Sequence, residues 1–231
     1  MGRTGPSDSG THRWHLTGRA ATAVGGCALA TLCYALMIKA GLGLGPLFAV
    51  QDGLATLLGI SIGTAVMVVG MCLIVLAAVL RSWPGPGTLG LPFLGGLLLN
   101  LMLPHLPSIH AWPARLLAVL AATWVMGLGG SLIIKAGLGA TAYDAVMMGI
   151  HKRVGGRIAV IRLAMELSML VVGWRLGGAI GIGTLITGVL IGPSMHCWLH
   201  VLGVTRISRE VATAPLPTDG ERRAVEVRAG S

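Results

Sequence analysis

The stretch IKAGLG at residues 38–43 occurs a second time at residues 134–139. The offset of 96 residues continues without a gap to Gly96 and Gly192, and 19 of the 59 aligned positions are identical. Self-similarity at a fixed spacing is the sequence signature of a duplicated structural unit. The sequence therefore predicts two tandem repeats, at about residues 19–104 and about residues 114–200.

The composition is that of a membrane protein. Hydrophobic residues make up 54% of the 231 residues and charged residues only 11%, whereas soluble domains carry roughly 25% charged residues. Each long uncharged stretch approaches or exceeds the roughly 20 residues that cross a bilayer as a helix. These stretches are residues 20–38, 53–80, 82–114, 116–134 and 176–205. We therefore predict an all-α, multi-pass membrane domain over residues 16–205.

Each repeat contains one apolar segment that is too short to span. Segments 46–58 and 142–153 follow glycine-rich breaks, and about 13 helical residues reach only about 20 Å of a hydrocarbon core of about 30 Å. If these segments are interfacial or re-entrant, about six helices cross and the two three-helix repeats are inverted. If they cross, there are eight crossings and the repeats are parallel. Segment length favours six.

The positive charge follows the membrane topology. In the six-span arrangement ten cations lie on one side, and Lys39, Arg115 and Arg175 lie on the other. Because cytoplasmic loops are rich in Lys and Arg, both termini are expected in the cytoplasm, with the chain in the bacterial inner membrane. The polar ends, residues 1–15 and 206–231, are expected to be disordered tails. A nucleic-acid-binding surface would show a basic face interleaved with aromatic residues. The sequence has no such face, so we do not expect nucleic-acid binding.

The motifs resemble those of the YczE-like bacterial membrane proteins, which are related to the YitT group. The resemblance covers about residues 19–200 and includes GLGLGP at 41–46, the YD pair at 143–144, GIHKR at 149–153 and GIGT at 181–184. It implies a multi-pass inner-membrane protein and no specific biochemical activity. The family usually has Trp-Asp after the proline, whereas this chain has Leu47 and Phe48. At the position where the family usually has this aspartate, the chain has Phe48. We therefore do not expect a mechanism that depends on an acid at this position.

Charged residues within membrane segments are the main functional candidates, because a central Arg, Lys or Asp costs at least about 2.5–3.5 kcal/mol. Arg162 and Glu166 have i,i+4 spacing and share one helix face. They indicate either an anchoring ion pair or part of a solute or proton pathway. Asp144 and Asp52 lie in the short segments, where each is either a helix cap or a cation- or proton-binding group.

Three further features have structural explanations as well as functional ones. Lys39 and Lys135 are predicted at helix C-termini, where a cation complements the helix dipole. The GxGT turns could bind an anion at a helix N-terminus, although tight turns also explain them. These turns contain Gly85, Gly87, Thr88, Gly181, Gly183 and Thr184. Scattered cysteines and histidines give no metal-site spacing, and we expect no metal and no cofactor.

The function predicted from these features is a small transporter or permease for an unidentified solute or ion. Internal repeats with paired broken segments and a few intramembrane acids are typical of such proteins. The alternative is a non-transporting membrane scaffold or regulator. No hydrolase, phosphate-binding-loop or dinucleotide-binding motif is present in the sequence, so we do not expect an enzyme. The lipid bilayer is the expected partner.

Overall fold

The computed structural model describes residues 9–82, 86–137 and 141–204, and side chains from residue 17 onward except 83–88 and 138–140. Gly85, residues 1–8 of the predicted N-terminal tail and all of the predicted tail at 206–231 lie outside these ranges. The described elements are eight α-helices and one 3₁₀ turn at Leu103–His105. The helices are α1 Ser9–Ala40, α2 Pro46–Leu58, α3 Ile62–Val79, α4 Pro86–Met102, α5 Trp112–Ala136, α6 Ala142–Val154, α7 Ile158–Arg175 and α8 Ile182–Val201.

Local sequence explains where the short helices begin and end. Pro46 occupies the first turn of α2, where a missing N–H costs nothing, and Gly59 ends the helix in the left-handed conformation with φ 63°. Thr141 caps α6, since its hydroxyl accepts the Asp144 N–H at 3.2 Å. Both short segments therefore form helices of 13 residues within a residue of the predicted bounds.

An antiparallel pair, α1 and α5, forms the centre of the fold. Arg19 at the start of α1 donates to the Ala136 and Gly137 carbonyls at the end of α5, at 2.8 and 2.6 Å. Arg115, 96 residues after Arg19, makes the equivalent hydrogen bonds at the other end of the pair. It donates to the carbonyls of Ala40 and, at 2.7 Å, Gly41. The two arginines thus form reciprocal clasps that fix the antiparallel register.

The two short helices each pack into the other half of the chain. Helix α2 packs against α7, and α6 packs against α3. A β-carbon on Gly53 of α2 would lie 2.7 Å from the β-carbon of Leu176, and one on Gly149 of α6 would lie 2.7 Å from that of Leu80. Gly149 lies 96 residues after Gly53, and Leu176 lies 96 residues after Leu80. The close contacts of α2 and α6 are therefore also reciprocal.

The buried apolar residues form two main clusters. One joins α2, α3, α6 and α7 through residues such as Val50, Ile74, Val146 and Met165. The other joins α1, α4 and α5 and extends to Leu44 before α2. Helix α4 packs on both α1 and α3, and α8 packs on α5.

Four helices are long and apolar enough to cross a membrane by length and composition. They are Thr17–Ala40, Ile62–Val79, Trp112–Ala136 and Ile182–Val201. The described chain is thus all-helical and has four candidate spans, where the sequence predicted about six. The other two predicted spans are α4, which has 17 residues, and α7, which carries three charged residues. Helix α1 also begins at Ser9, within the predicted N-terminal tail of residues 1–15 and ten residues before the predicted start of the first repeat.

Candidate functional site

An ion pair lines a cavity of about 170 Å³ between α7, α8 and the start of α2. We call it the ion-pair cavity. Its lining residues are Gly45, Pro46, Leu47, Phe48, Met126, Tyr143, Arg162, Glu166, Thr187 and Ile191. Residues from both halves of the chain contribute, since α2 belongs to the first repeat predicted from the sequence and α5, α7 and α8 to the second.

Arg162 and Glu166 pair directly, with 3.1 Å between the arginine Nε and the glutamate Oε1. Their side chains are 42% and 29% exposed in the protein alone, so the pair borders open space and is not sealed in the core. The buried hydroxyl of Tyr143 lines the same cavity and has no hydrogen-bond partner. The site thus combines one anion, one cation and one unpaired hydroxyl, groups that can bind a polar solute or a proton.

Asp144, the other leading candidate, has a local role. Its carboxylate accepts a hydrogen bond from the Thr141 hydroxyl at 2.7 Å, while the Asp144 N–H donates to that hydroxyl. The carboxylate also lies in the first turn of α6, where the helix dipole favours negative charge. The neighbouring Tyr143 lines the ion-pair cavity, whereas Asp144 is not among the lining residues.

Asp52 binds backbone in the other half of the chain. Its Oδ2 accepts the Ala179 N–H at 2.8 Å, in the connection between α7 and α8. The Leu44 N–H donates to the carbonyl of the same alanine at 2.9 Å. Asp52 is therefore placed in the middle of α2, away from the helix-cap position considered from the sequence, and it fastens α2 to the α7–α8 connection.

The remaining sequence candidates lie at helix ends. Lys39 and Lys135 occupy the last turns of α1 and α5, as the dipole argument predicted. Two amides at the start of α8 are bonded within the protein, because Gly181 donates to the Thr184 hydroxyl and Gly183 donates to the Leu42 carbonyl. This favours the structural interpretation of that turn over an anion site.

The corresponding turn of the first half begins α4. Gly87 lies in the first turn of α4 with Thr88, and Gly85 lies outside the described residues. The two turns share their backbone position, because α4 begins at Pro86 and α8 begins 96 residues later, at Ile182.

A second cavity, of about 190 Å³, lies between α1, α3, α4 and the start of α6. Its described lining residues carry no Asp, Glu, Lys or Arg, and we call it the uncharged cavity. They are Cys27, Ala30, Thr31, Tyr34, Phe48, Gln51, Val66, Leu91, Pro92, Gly95, Ile133, Thr141 and Ala142. The sequence analysis assigned no role to Tyr34 or Gln51, because the sequence of an apolar helix does not show which neighbouring helix or cavity each of its side chains will face.

Six pairs of lining positions in the two cavities are separated by the 96-residue offset of the predicted repeat. Val66, Leu91 and Gly95 of the uncharged cavity lie 96 residues before Arg162, Thr187 and Ile191 of the ion-pair cavity. Three further pairs of lining positions show the same offset. They are Ala30 with Met126, Gly45 with Thr141, and Pro46 with Ala142. Each cavity thus lies where the start of one short helix meets the long helices of the other half.

The helices around the two cavities are packed differently. Helix α3 packs closely along α4, and a β-carbon on Gly96 would lie 2.4 Å from the Gly63 carbonyl oxygen. Within the described chain, α7 has no comparable packing with α8. A β-carbon on Gly192, 96 residues after Gly96, would have no neighbouring atom within 4 Å. The ion-pair cavity therefore adjoins a gap between α7 and α8.

Comparison with known proteins identifies the family. A family model described as a family of unknown function, DUF6198, matches residues 17–200. The chain belongs to this family. Its predicted YczE-like character is confirmed, since it is 29% identical over 152 residues to the uncharacterized membrane protein YczE of Bacillus subtilis (strain 168). That alignment covers 65% of this chain and 71% of YczE. The similarity to this membrane protein and the four long apolar helices are consistent with a helical membrane protein.

The chain is also similar to two further proteins. An uncharacterized protein of Haemophilus influenzae is 28% identical over 167 residues, which cover 72% of this chain and 77% of that protein. The uncharacterized protein YyaS of Bacillus subtilis is 25% identical over 182 residues, which cover 77% of this chain and 90% of YyaS. No solved structure matches the chain significantly.

Proposed function

We propose that this chain is a small transporter or permease of the bacterial inner membrane that moves a small solute or ion, and that it is not an enzyme. The observation that carries the proposal is the difference between two equivalent helix pairs, since α3 and α4 are closed together while α7 and α8 stand apart beside an ion pair. Transporters with inverted repeats alternate largely by rocking or gating one repeat against the other around a fixed site, so one end state is expected to have one helix pair closed and the other open.

An inverted repeat accounts for the reciprocal contacts. In a two-fold arrangement, if a residue of the first half contacts a residue of the second half, the equivalents of these two residues in the opposite halves also contact each other. The arginine clasps at Arg19 and Arg115 and the glycine contacts at Gly53 and Gly149 have this form. Because α1 and α5 are antiparallel, the axis is perpendicular to them and lies in the membrane plane if they cross the bilayer.

Six crossings fit this arrangement better than eight. The connection before α2 contacts the α7–α8 connection through Leu44 and Ala179. The far end of α3 lies beside α6, where Arg153 donates to the Val79 carbonyl at 2.6 Å. Helix α7 begins four residues after α6 ends, so it starts near the far end of α3. If α3 and α7 both cross the bilayer, the α7–α8 connection and the start of α3 lie at the same face, and α2 begins and ends near that face, as a re-entrant or interfacial helix does. The cation distribution then favours cytoplasmic termini, and an active cytoplasmic reporter fused after Arg206 is expected.

The ion pair offers a test of transport. Glu166→Gln removes the acid of the ion-pair cavity with little change in volume, and Arg175→Gln removes a charge from the end of the same helix as a control. Proteoliposomes are screened by solid-supported-membrane electrophysiology with a panel of small solutes and proton gradients. We expect a current for the wild type and for Arg175→Gln, and a loss of at least about tenfold for Glu166→Gln at unchanged thermal stability.

A folded Glu166→Gln variant that retains full transport would remove the ion pair from the mechanism. The second candidate function, a non-transporting scaffold or regulator, is favoured by the structural bonding of the two aspartates, since Asp144 pairs with the capping Thr141 and Asp52 binds the Ala179 amide. It predicts that no solute in the panel produces a current in wild-type proteoliposomes, while neutralising Glu166 leaves Arg162 unpaired and lowers stability.

A further inference from the structure

We propose that the uncharged cavity binds one small, neutral aromatic molecule that carries a single N–H or O–H donor. The cavity is distinct from the ion-pair cavity, although Phe48 borders both. The proposal does not depend on transport, because it concerns equilibrium binding at a site that contains no part of the Arg162–Glu166 pair.

The size of the cavity sets the scale of the ligand. Its volume is about 190 Å³, and an apolar cavity of about 150 Å³ in another protein accepts benzene. One aromatic ring or a compact bicyclic molecule therefore fits.

The charge and shape of the walls restrict the ligand further. None of the described lining residues is Asp, Glu, Lys or Arg, so a charged ligand would lose its hydration without an opposite charge to pair with. Tyr34 and Phe48 stack with ring centroids 4.2 Å apart and planes inclined by 23°. Both rings line the cavity and present aromatic surface, which favours a planar aromatic ligand.

Gln51 supplies the specific hydrogen-bond acceptor. The residue is only 5% exposed, it lines the cavity, and its Oε1 has no hydrogen-bond partner. A buried polar atom without a partner is destabilising, and native proteins rarely retain one without a functional reason or a bound water or ligand. A donor on the ligand would satisfy this oxygen.

The other half of the chain indicates that packing does not require this glutamine. The position 96 residues later is Met147, which packs against the hydrophobic cluster of the short helices. An apolar side chain of similar length is therefore compatible with this position in the other half. A ligand that donates a hydrogen bond therefore explains the amide of Gln51 better than a packing role does.

The test uses indole and benzofuran, which have similar shapes but differ in the N–H donor. Isothermal titration calorimetry on the full-length protein in detergent measures both probes against the wild type and Gln51→Met. We expect saturable 1:1 binding of indole, at least tenfold weaker binding of benzofuran, and a loss of at least tenfold in indole affinity in Gln51→Met. Benzofuran affinity should change less than threefold in that variant.

Two variants locate the binding. Gly95→Ile fills the cavity with the side chain found 96 residues later, at Ile191, and should abolish binding of both probes. If it misfolds, Gly95→Ala serves instead and should weaken binding, since its β-carbon would lie 3.6 Å from Cys27 Sγ and Thr31 Oγ1. Glu166→Gln should leave indole binding unchanged, which separates failure here from failure of the transport proposal.

Three results would overturn the inference. They are the absence of saturable indole binding, equal affinity for indole and benzofuran, and unchanged indole affinity in Gln51→Met. In the first case water or a lipid chain fills the cavity, and in the other two Gln51 does not hold the ligand.

Discussion

The arginine clasps make a prediction about stability that the structure allows to be worked out. Arg115→Met keeps the aliphatic stem but removes two hydrogen bonds to the Ala40 and Gly41 carbonyls at the end of α1. Hydrogen bonds from charged groups contribute about 1.5–3 kcal/mol each, and partial exposure of the guanidinium favours the lower part of that range. We therefore expect a loss of about 3–4 kcal/mol in the free energy of unfolding.

The matched control is Lys39→Met, which removes a cation from the same helix end. Its interaction with the helix dipole is worth at most about 1 kcal/mol, so the difference between the variants isolates the hydrogen bonds. Arg115→Lys should recover only part of the loss, because an ammonium lacks the planar fork that reaches two carbonyls.

The reciprocal clasp gives an internal check. Helix α5 has 25 residues, so the clasps at its two ends are separated by about 37 Å. Effects at such a distance usually add within about 0.5 kcal/mol, and the Arg19→Met/Arg115→Met double variant should lose the sum of the single losses. Reversible unfolding in SDS–detergent mixtures measures these values. An Arg115→Met variant no less stable than Lys39→Met would refute the clasp.

Two further predictions concern stability in detergent, measured by thermal unfolding. Gly53→Val and Gly149→Val should each destabilise the protein by at least about 2 kcal/mol, because a β-carbon already crowds Leu176 or Leu80. Gly188→Val should be much milder, since its β-carbon has no neighbour within 4 Å, and equal losses would disprove the close approach. Asp144→Asn should cost less than about 1 kcal/mol because Thr141 still caps α6; a larger loss would mean that the carboxylate has a buried partner.

Much of the architecture is readable from the sequence because its causes are local. Pro46 and Gly59 mark the beginning and end of α2, and Thr141 and Gly155 mark those of α6. The i,i+4 spacing of Arg162 and Glu166 likewise predicts their pairing without tertiary information. These features depend only on neighbours within one or two turns of helix.

The contacts that build the site depend on distant backbone. Asp52 pairs with an amide 127 residues away, and Arg115 with carbonyls 74 and 75 residues away. Every residue offers such groups, so the side chain alone does not identify its partner. The uncharged cavity is equally hidden, because Gln51 faces it only through the packing of α2 against α3 and α7.

The central claim, that the two halves are inverted in the membrane, is tested most directly by labelling equivalent positions from each side. Thr56 and Lys152 are exposed, lie 96 residues apart and follow the middle of α2 and α6. In a background with the four native cysteines replaced, Thr56→Cys and Lys152→Cys are treated with a membrane-impermeant maleimide in intact spheroplasts and in inverted vesicles. The account predicts that Thr56→Cys is labelled only in spheroplasts and Lys152→Cys only in inverted vesicles. Labelling of both from the same side would contradict it.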